Sequence, residues 1–597
     1  MALINVASGE VTNITNSGYF DMAPRWVMEG NAIMYSSDRY GMRNHASWGS
    51  MQDVMLVFLN REAYDRFRLS EEDYALLKEA EKSQKKEKES SDTGKKKGKK
   101  KEPVVDDSNE KSVVNVELDG ISDRIVRLTP FSSDLGDSYV TDDGETLYFL
   151  ASVDDGYDLW KTKLRKGETE LAKKLGLGGV SLQPDADGKN LFLLGSGTMR
   201  KMNLSSDKIT PISYSAWMKL DPAAEREYMF DYVAREEAQR FYNTNMHGVD
   251  WPAMTAAYRK FLPHISNNYD FSEMLSELLG ELNVSHTGSG YRPRSGADPT
   301  AQLGLLYDMS YGGDGLKVAE IVAGGPFDRA KTQLVPGAVI TAINGVKINP
   351  SDNEGTVFND LARKKTLVSF TLPGGAEIEE VVVPVTPGAM SDLLYKRWVK
   401  RNAHMVDSLS GGRLGYVHLE SMDDDSFRSV YSDVLGKYND REGIVIDTRW
   451  NGGGRLHEDI EVLFSGKKYF TQVVRGTESC DMPSRRWNKP SIMIQCEANY
   501  SNAHGTPWVY KHQGLGKLVG APVPGTMTSV NWVDLQDDSM YFGIPVVGYR
   551  LPDGSYLENT QLEPDVLITN DPARVVKGID DQLETAVKTL LNDIDKN

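Results

Sequence analysis

Through the first third of the chain, apolar and polar residues alternate in short runs, the period of half-buried strands. Three stretches share one plan, an aromatic-rich strand, a glycine-containing turn and a second strand ending in a polar cluster. Pro24–Asn31 leads into AIMYSSDRYG, Val140–Glu145 into TLYFLASVDDGYDLW, and Pro184–Lys189 into NLFLLGSG. They read as repeats, and the Asp-Gly pairs ending at Gly144 and Gly188 are hairpin signals. From Asp221 to Leu282 the apolar spacing changes to i, i+3, i+4, predicting helices in DPAAEREYMFDYVAREEAQRFY, DWPAMTAAYRKFLPHI and NNYDFSEMLSELLGEL. Asp221-Pro222 and Asp250-Trp251-Pro252 carry an N-cap residue with proline in the first turn. The module delivers the chain to Asn283-Val284-Ser285-His286-Thr287-Gly288. Short β runs separated by glycine turns follow from Leu303 to Val385: LGLLYDMS, GLKVAEIV, GAVITAING, TLVSFTLPG and EIEEVVVPV. Beyond Ala389, the apolar strands GRLGYVHL, GIVIDTR, PSIMIQCEA, KLVGAPV and PDVLI alternate with helical stretches such as Asp423–Lys437 and Gly578–Asn592. Buried strands alternating with helices predict a largely parallel sheet with helices packed on it.

One stretch has no pattern. SQKKEKESSDTGKKKGKKKEPVVDDSNEK cannot bury enough surface to offset its ordering entropy, so residues 82–111 are expected to form a disordered insertion in a loop. Its lysines are offset by the whole chain, in which 86 acidic against 68 basic side chains give a net charge of -18. That balance argues against nucleic acid as a partner, because phosphate contact requires a basic footprint. No run of ~18 apolar residues occurs, so no membrane-spanning helix is expected. The first twenty residues lack the basic and apolar regions of a signal peptide. Cys480 and Cys496 cannot form a disulfide framework or a four-thiolate metal site.

Two places carry candidate chemistry. The strand Gly443–Arg449 runs into Trp450-Asn451-Gly452-Gly453-Gly454, a loop that brings bare backbone N–H groups near a ligand; no GK[ST] follows, so it is not a phosphate-binding P-loop. After the strand PSIMIQCEA comes Glu497-Ala498-Asn499-Tyr500-Ser501-Asn502-Ala503-His504-Gly505. A serine between a buried strand and a helix is either an N-cap or a nucleophile on a sharp elbow, where the helix N-terminus favours an oxyanion. His418, His457 and His504 are conceivable zinc ligands, but no HExxH spacing exists, and neither a metal nor a cofactor is expected.

Ser37-Asp38-Arg39 with Gly41 resembles the closing motif of TolB-like or WD40-like β-propeller blades. Gly144 and Gly188 lie about one blade apart, at ~40–45 residues. Three blades do not close a ring of 4–8, so residues 1–215 are expected to be a partial β-propeller and the chain the C-terminal part of something longer. GLKVAEIVAGGPFDRAKTQLVPGAVITAINGVKI resembles a protease-associated PDZ domain. There Leu303, Gly304 and Leu305 would capture a peptide C-terminus by adding a strand to a sheet edge.

The order of motifs, a Ser-His pair, the PDZ-like stretch, VxDxRxNGGG, a serine in an N-x-S-x-A turn and LENTQLEPDV, resembles the S41 serine peptidases and among them the tricorn protease family. The resemblance implies a multidomain fold: the partial propeller, a helical subdomain over 216–300 carrying Ser-His, a PDZ domain over 301–388, and an α/β ClpP/crotonase-like peptidase core over 389–597. It assigns Ser501 as nucleophile, His286 as general base, and Glu558 as the carboxylate that polarises Ser285, whose hydroxyl orients the imidazole. Asn502, with Gly452 or Gly453, would supply the oxyanion-hole amides. His504 and Gln561 depart from the residues usual at those positions. The implied activity is hydrolysis of peptides or unfolded polypeptides through an acyl-enzyme. Its rivals are a catalytically inactive peptide-binding scaffold and a crotonase-like acyl-CoA enzyme on the same core. Family resemblance also implies a homo-oligomer, a hexamer, with no membrane partner, located in the cytoplasm, or in the periplasm if a signal was lost with a truncated start.

Overall fold

The computed structural model describes residues 1–46, 49–92, 114–293, 296, 298–349 and 354–596. It divides into two units, Met1–Met218 and Lys219–Asn597.

The first unit holds three four-stranded antiparallel sheets, each a meander in chain order. The first contains Asp21–Val27, Ala32–Ser37, Asp53–Phe58 and Ile125–Arg127; the second Asp134–Val140, Thr146–Asp154, Gly156–Lys163 and Glu168–Leu177; the third Val180–Pro184, Asn190–Gly195, Thr198–Asn203 and Lys208–Ile212. Strand alternation explains how they stack. Leu147, Phe149 and Ala151 point into a core shared with Met34, Leu56 and Phe58 of the first sheet. Their neighbours Tyr148 and Leu150 point the other way, onto Leu182, Leu191 and Leu193 of the third. The middle sheet is therefore apolar on both faces. Gly144 turns the chain at φ +69°, as the Asp-Gly signal requires.

Asp53–Phe58 pairs with Ile125–Arg127, so the lysine-rich insertion lies between two neighbouring strands. Here one expectation is corrected: helix Glu71–Asp92 runs through residues 82–92, for which the sequence predicts disorder. Its straight-chain Lys, Glu and Gln residues are good helix formers and need no apolar face to continue a helix already begun. The remainder, 93–111, lies outside the described residues.

The second unit begins with helices Pro222–Arg240, Trp251–Arg259 and Asn268–Gly280, capped by the side chains of Asp221, Asp250 and Asn267. Their apolar faces do not close on one another. Phe230, Val233, Phe271, Leu275 and Leu278 instead share a core with Met540, Phe542 and Ile544. Those three lie on Met540–Gly548, the middle strand of an antiparallel sheet with Gly288–Tyr291 and Thr528–Asp534. The helical module expected to end at residue 300 is thus completed by two strands from the region expected to be α/β.

Within it, Glu237 is fully buried and neither carboxyl oxygen has a hydrogen-bond partner among the described residues. Desolvation raises its pKa from 4.5 to about 8. The folded state therefore holds a proton that the unfolded state releases between those values, and stability falls as pH rises through that window. Glu237→Gln keeps the neutral form at every pH, so it is expected to be near neutral at pH ~4 and stabilising by a few kcal/mol at pH ~9. Thermal unfolding of both proteins across that range checks this. Equal melting temperatures at the alkaline end would contradict it.

Leu305–Tyr307, Leu316–Ile321, Val339–Ile343, Thr366–Thr371 and Glu377–Val382 then form an antiparallel sheet in that order, with Val346–Lys347 paired to its middle strand. Leu303 and Leu305 lie in its core, so their side chains are not offered to a peptide; Leu305–Tyr307 is an edge strand of the sheet. Gly304 sits at φ +70°, where a Cβ would approach Pro326 to 2.6 Å.

The last region opens with a long helix, Pro387–Ser410, for which no expectation was drawn. Five parallel strands follow in chain order: Leu414–His418, Gly443–Asp447, Ser491–Gln495, Lys517–Gly520 and Val566–Leu567. Alternation again fills two layers. Ile444, Ile446 and Met493 pack beneath the helices Asp424–Ser432, His457–Phe464 and Asn502–His512. Val445, Ile492 and Ile494 pack under Pro387–Ser410 and Asp581–Ile594. Arg449, 2% exposed, is held by Asp447 at 2.6 Å and Asp580 at 2.9 Å, tying the end of the second strand to the last helix.

Candidate active site

The strand Ser491–Gln495 ends beneath a sharp turn, and helix Asn502–His512 begins just beyond it. Between them Ser501 takes φ +56° and ψ -127°, and its side chain makes no capping hydrogen bond. Ser501 thus stands at the N-cap position without capping the helix through its hydroxyl. A non-glycine residue in that conformation costs on the order of 1–3 kcal/mol and persists only where its surroundings over-determine it. The surroundings here are identifiable: Ser501 N–H donates to Thr526 Oγ1 at 3.1 Å, and Tyr500 N–H donates to the Asn451 carbonyl at 3.0 Å.

The triple-glycine loop lies against the serine. Gly453 has φ +102°, and a Cβ there would stand 2.5 Å from Ser501 Cβ, so glycine is required by contact as well as conformation. Its amide donates to Asn451 Oδ1 at 2.8 Å. Gly452 has open space where a Cβ would be, and its N–H makes none of the hydrogen bonds among the described residues. The buried side chain of Asn502 accepts from Leu456 N–H at 2.7 Å and His457 N–H at 3.1 Å, and donates to His457 Nδ1 at 2.8 Å. Asn502 thereby fastens the helix start to the segment that follows the glycine loop, leaving its own backbone N–H beside Ser501.

Ser285, His286 and Glu558 come together although the chain separates Ser285 from Glu558 by 273 positions. Glu558 Oε1 accepts the Ser285 amide at 2.6 Å, and its Oε2 accepts the Ser285 hydroxyl at 2.9 Å. Ser285 Oγ in turn lies 2.9 Å from His286 Nδ1. Burial raises the Glu558 pKa, opposed by the amide and hydroxyl of Ser285. Burial also lowers the His286 pKa to about 4, so at neutral pH the ring is the uncharged form. His286 N–H donates to the Tyr500 hydroxyl at 2.7 Å, and the two rings lie 4.7 Å apart. Tyr500, the residue before Ser501, thus ties the histidine segment to the elbow. His286 Nε2 and Ser501 Oγ make no hydrogen bond with each other or with other described residues, and both remain available.

Sequence reasoning missed Tyr500 and the extended segment Thr526–Thr528. Thr526 touches the Ser501 amide, the Met527 amide helps hold the Glu558 charge, and Thr528 Oγ1 lies 3.0 Å from both Ser285 Oγ and His286 Nδ1. Thr528 opens the strand Thr528–Asp534 and Thr526 precedes it, and nothing local in TMTS announces what they face. The three histidines considered as metal ligands lie in separate surroundings, and the buried Nε2 of His504 has no hydrogen-bond partner among the described residues. His418 bonds the Tyr395 hydroxyl at 2.8 Å and the Arg449 carbonyl at 3.0 Å, His457 bonds Asn502, and fully buried His504 accepts from Thr526 N–H at 3.3 Å.

Comparison with known proteins bears on this geometry. Residues 413–568 match the model of Peptidase family S41, and residues 222–280 that of the Tricorn protease C1 domain. Tricorn protease homolog 1 of Streptomyces coelicolor is 26% identical over 426 residues, covering 68% of this chain and 40% of that protein. A putative Tricorn-like protease C-terminal subunit of Sulfurisphaera tokodaii is 26% identical over 392 residues, covering 63% of this chain and 44% of that protein. The chain thus spans less than half the length of these relatives. The crystal structure of the tricorn protease matches with a TM-score of 0.77 and 17% identity, covering 100% of this chain and 57% of that one, a likeness of fold. No described helix is long and apolar enough to cross a membrane.

Proposed function

We propose that this tricorn protease homologue, with its S41 peptidase region, is a serine peptidase that hydrolyses peptides or unfolded polypeptides through an acyl-enzyme. The observation that carries the reading is the hydrogen-bond chain Glu558–Ser285–His286, joined through Tyr500 to the strained elbow at Ser501. In this reading Ser501 Oγ attacks the peptide carbonyl while His286 Nε2 takes its proton. The resulting oxyanion accepts from the N–H groups of Gly452 and Asn502. Collapse passes the proton from Nε2 to the leaving amine and leaves the acyl group on Ser501, which water removes with the same base. Glu558 acts through the Ser285 hydroxyl to hold and stabilise the imidazolium. The three meanders of the first unit fit a partial propeller, and the antiparallel sheet with its edge strand Leu305–Tyr307 fits a PDZ domain that receives an extended peptide. Both would present substrate.

A fluorophosphonate probe tests this directly. It is expected to label Ser501, located by peptide mapping, and to leave Ser501→Ala and His286→Ala unlabelled. Because the neutral imidazole is the competent base, the labelling rate should be flat at neutral pH and fall only on acidification, toward the value of about 4 set by burial rather than the ~6.5 of an exposed histidine. An unlabelled wild-type protein, or label on another serine, would overturn the reading.

A further inference from the structure

We infer that Thr528 is a positioning residue for His286, a second hydroxyl that acts in parallel with Ser285; this rests on the serine-peptidase reading above. The argument is a count of protons. Ser285 Oγ, Thr528 Oγ1 and His286 Nδ1 form a closed triangle with sides of 2.9, 3.0 and 3.0 Å. Each hydroxyl has one proton to give, and each has a neighbour outside the triangle that can only accept. For Ser285 Oγ that neighbour is Glu558 Oε2 at 2.9 Å, and for Thr528 Oγ1 it is the Ser285 carbonyl at 3.2 Å. With both protons directed outward, both hydroxyls present lone pairs to Nδ1. The ring must then carry its proton on Nδ1, which leaves Nε2 as the lone-pair site that a general base needs.

Thr528 suits the task beyond having a hydroxyl. It is 2% exposed, so water does not compete for its hydroxyl. It is the first residue of strand Thr528–Asp534, paired with Gly548, and a β-branched side chain on a strand has a restricted χ1. The hydroxyl is therefore aimed by backbone pairing from the sheet, while the Ser285 hydroxyl is aimed by Glu558. The imidazole is steered by two hydroxyls, one aimed from each side.

Redundancy makes a distinctive prediction. Thr528→Val removes the hydroxyl and keeps the shape; it should lower kcat about threefold, and Ser285→Ala about tenfold, because the other hydroxyl still receives Nδ1–H. Together they leave Nδ1 with no acceptor, and the loss should reach ~10³–10⁴, the scale of a wrong-tautomer base and far more than the product of the two. Thr528→Ser in the Ser285→Ala background should restore activity to within a few-fold of Ser285→Ala alone. A threonine that merely stapled its strand to the Ser285 carbonyl would alter melting temperature but give kinetic losses that multiply.

The second readout needs no turnover. In protein labelled with ¹⁵N-histidine, the His286 ring, assigned by its absence in His286→Ala, should show an unprotonated Nε2 in wild type and in each single variant. A mixed tautomer is expected in Ser285→Ala/Thr528→Val. Multiplying losses, no rescue by Thr528→Ser, or an unchanged tautomer in the double variant would overturn the inference. Failure of the fluorophosphonate to label wild type would overturn the peptidase reading instead, and the ring spectra would still report whether Thr528 sets the tautomer.

Discussion

Ser501→Ala is expected to lower peptidase kcat by about 10⁴–10⁶ while leaving the melting temperature almost unchanged. Both halves follow from the same geometry. The Ser501 hydroxyl makes no hydrogen bond among the described residues, so its removal breaks none there. Alanine keeps the Cβ that packs on Gly453, and it pays the same backbone strain at φ +56° as serine. The Ser501 amide still donates to Thr526, and the Asn502 clasp on residues 456 and 457 is untouched. Only the attacking atom is lost, and what remains is substrate binding and the oxyanion amides, which sustain a small residual rate. Steady-state kinetics with an unfolded polypeptide and a melting curve decide it. Turnover above about a tenth of wild type would remove Ser501 from the nucleophile role, and a large drop in melting temperature would show that the elbow depends on its hydroxyl.

The sequence announces what is local and is silent about what is long-range. Strand alternation in TLYFLASVD and apolar runs such as GIVID predict elements that the structure contains, because side-chain direction is set residue by residue. The caps at Asp221 and Asp250 are equally local. Ser285, His286, Ser501 and Glu558 were reached through the order of motifs, not through any property of each residue alone. What stayed hidden depends on chain closure over great distances. Nothing in SVNWVDLQDDSMYFGIPVVG says that it pairs back onto Gly288–Tyr291 and completes the core of the helical module. That pairing carries Thr528 to His286, so missing the sheet meant missing the threonine. Gly453 shows the opposite limit: the glycine run is plain in the sequence, but which amide Asn451 occupies is decided by a side chain two residues away.

Replacing Glu558 by Gln is expected to be more damaging than removing the serine through which it acts, and removing that serine should relieve the damage. The reason lies in which oxygen faces which donor. Glu558 Oε1 accepts the Ser285 amide at 2.6 Å, a contact only an oxygen can make. In Glu558→Gln the amide oxygen takes that place, and the NH₂ group falls opposite Ser285 Oγ, where Oε2 now lies at 2.9 Å. An NH₂ donating to Oγ turns the serine proton inward, toward Nδ1, and favours the ring with its proton on Nε2, where it cannot act as a base. The loss expected is about 10³–10⁴ in kcat, the scale seen when an orienting carboxylate becomes an amide. Ser285→Ala removes the hydroxyl without inverting it, leaves Thr528 to receive Nδ1–H, and should cost about tenfold. In the double variant there is no serine hydroxyl to misdirect, so the loss should fall back to ~10², the residue reflecting the missing negative charge near the imidazolium. The double variant is thus predicted to be faster than Glu558→Gln alone. Measuring kcat for the two single variants and the double at neutral pH, well above the His286 value of about 4, tests the order of the relay. Losses that simply multiply would place Glu558 and Ser285 on separate paths, and a double variant slower than Glu558→Gln would show that the carboxylate does not act through the serine.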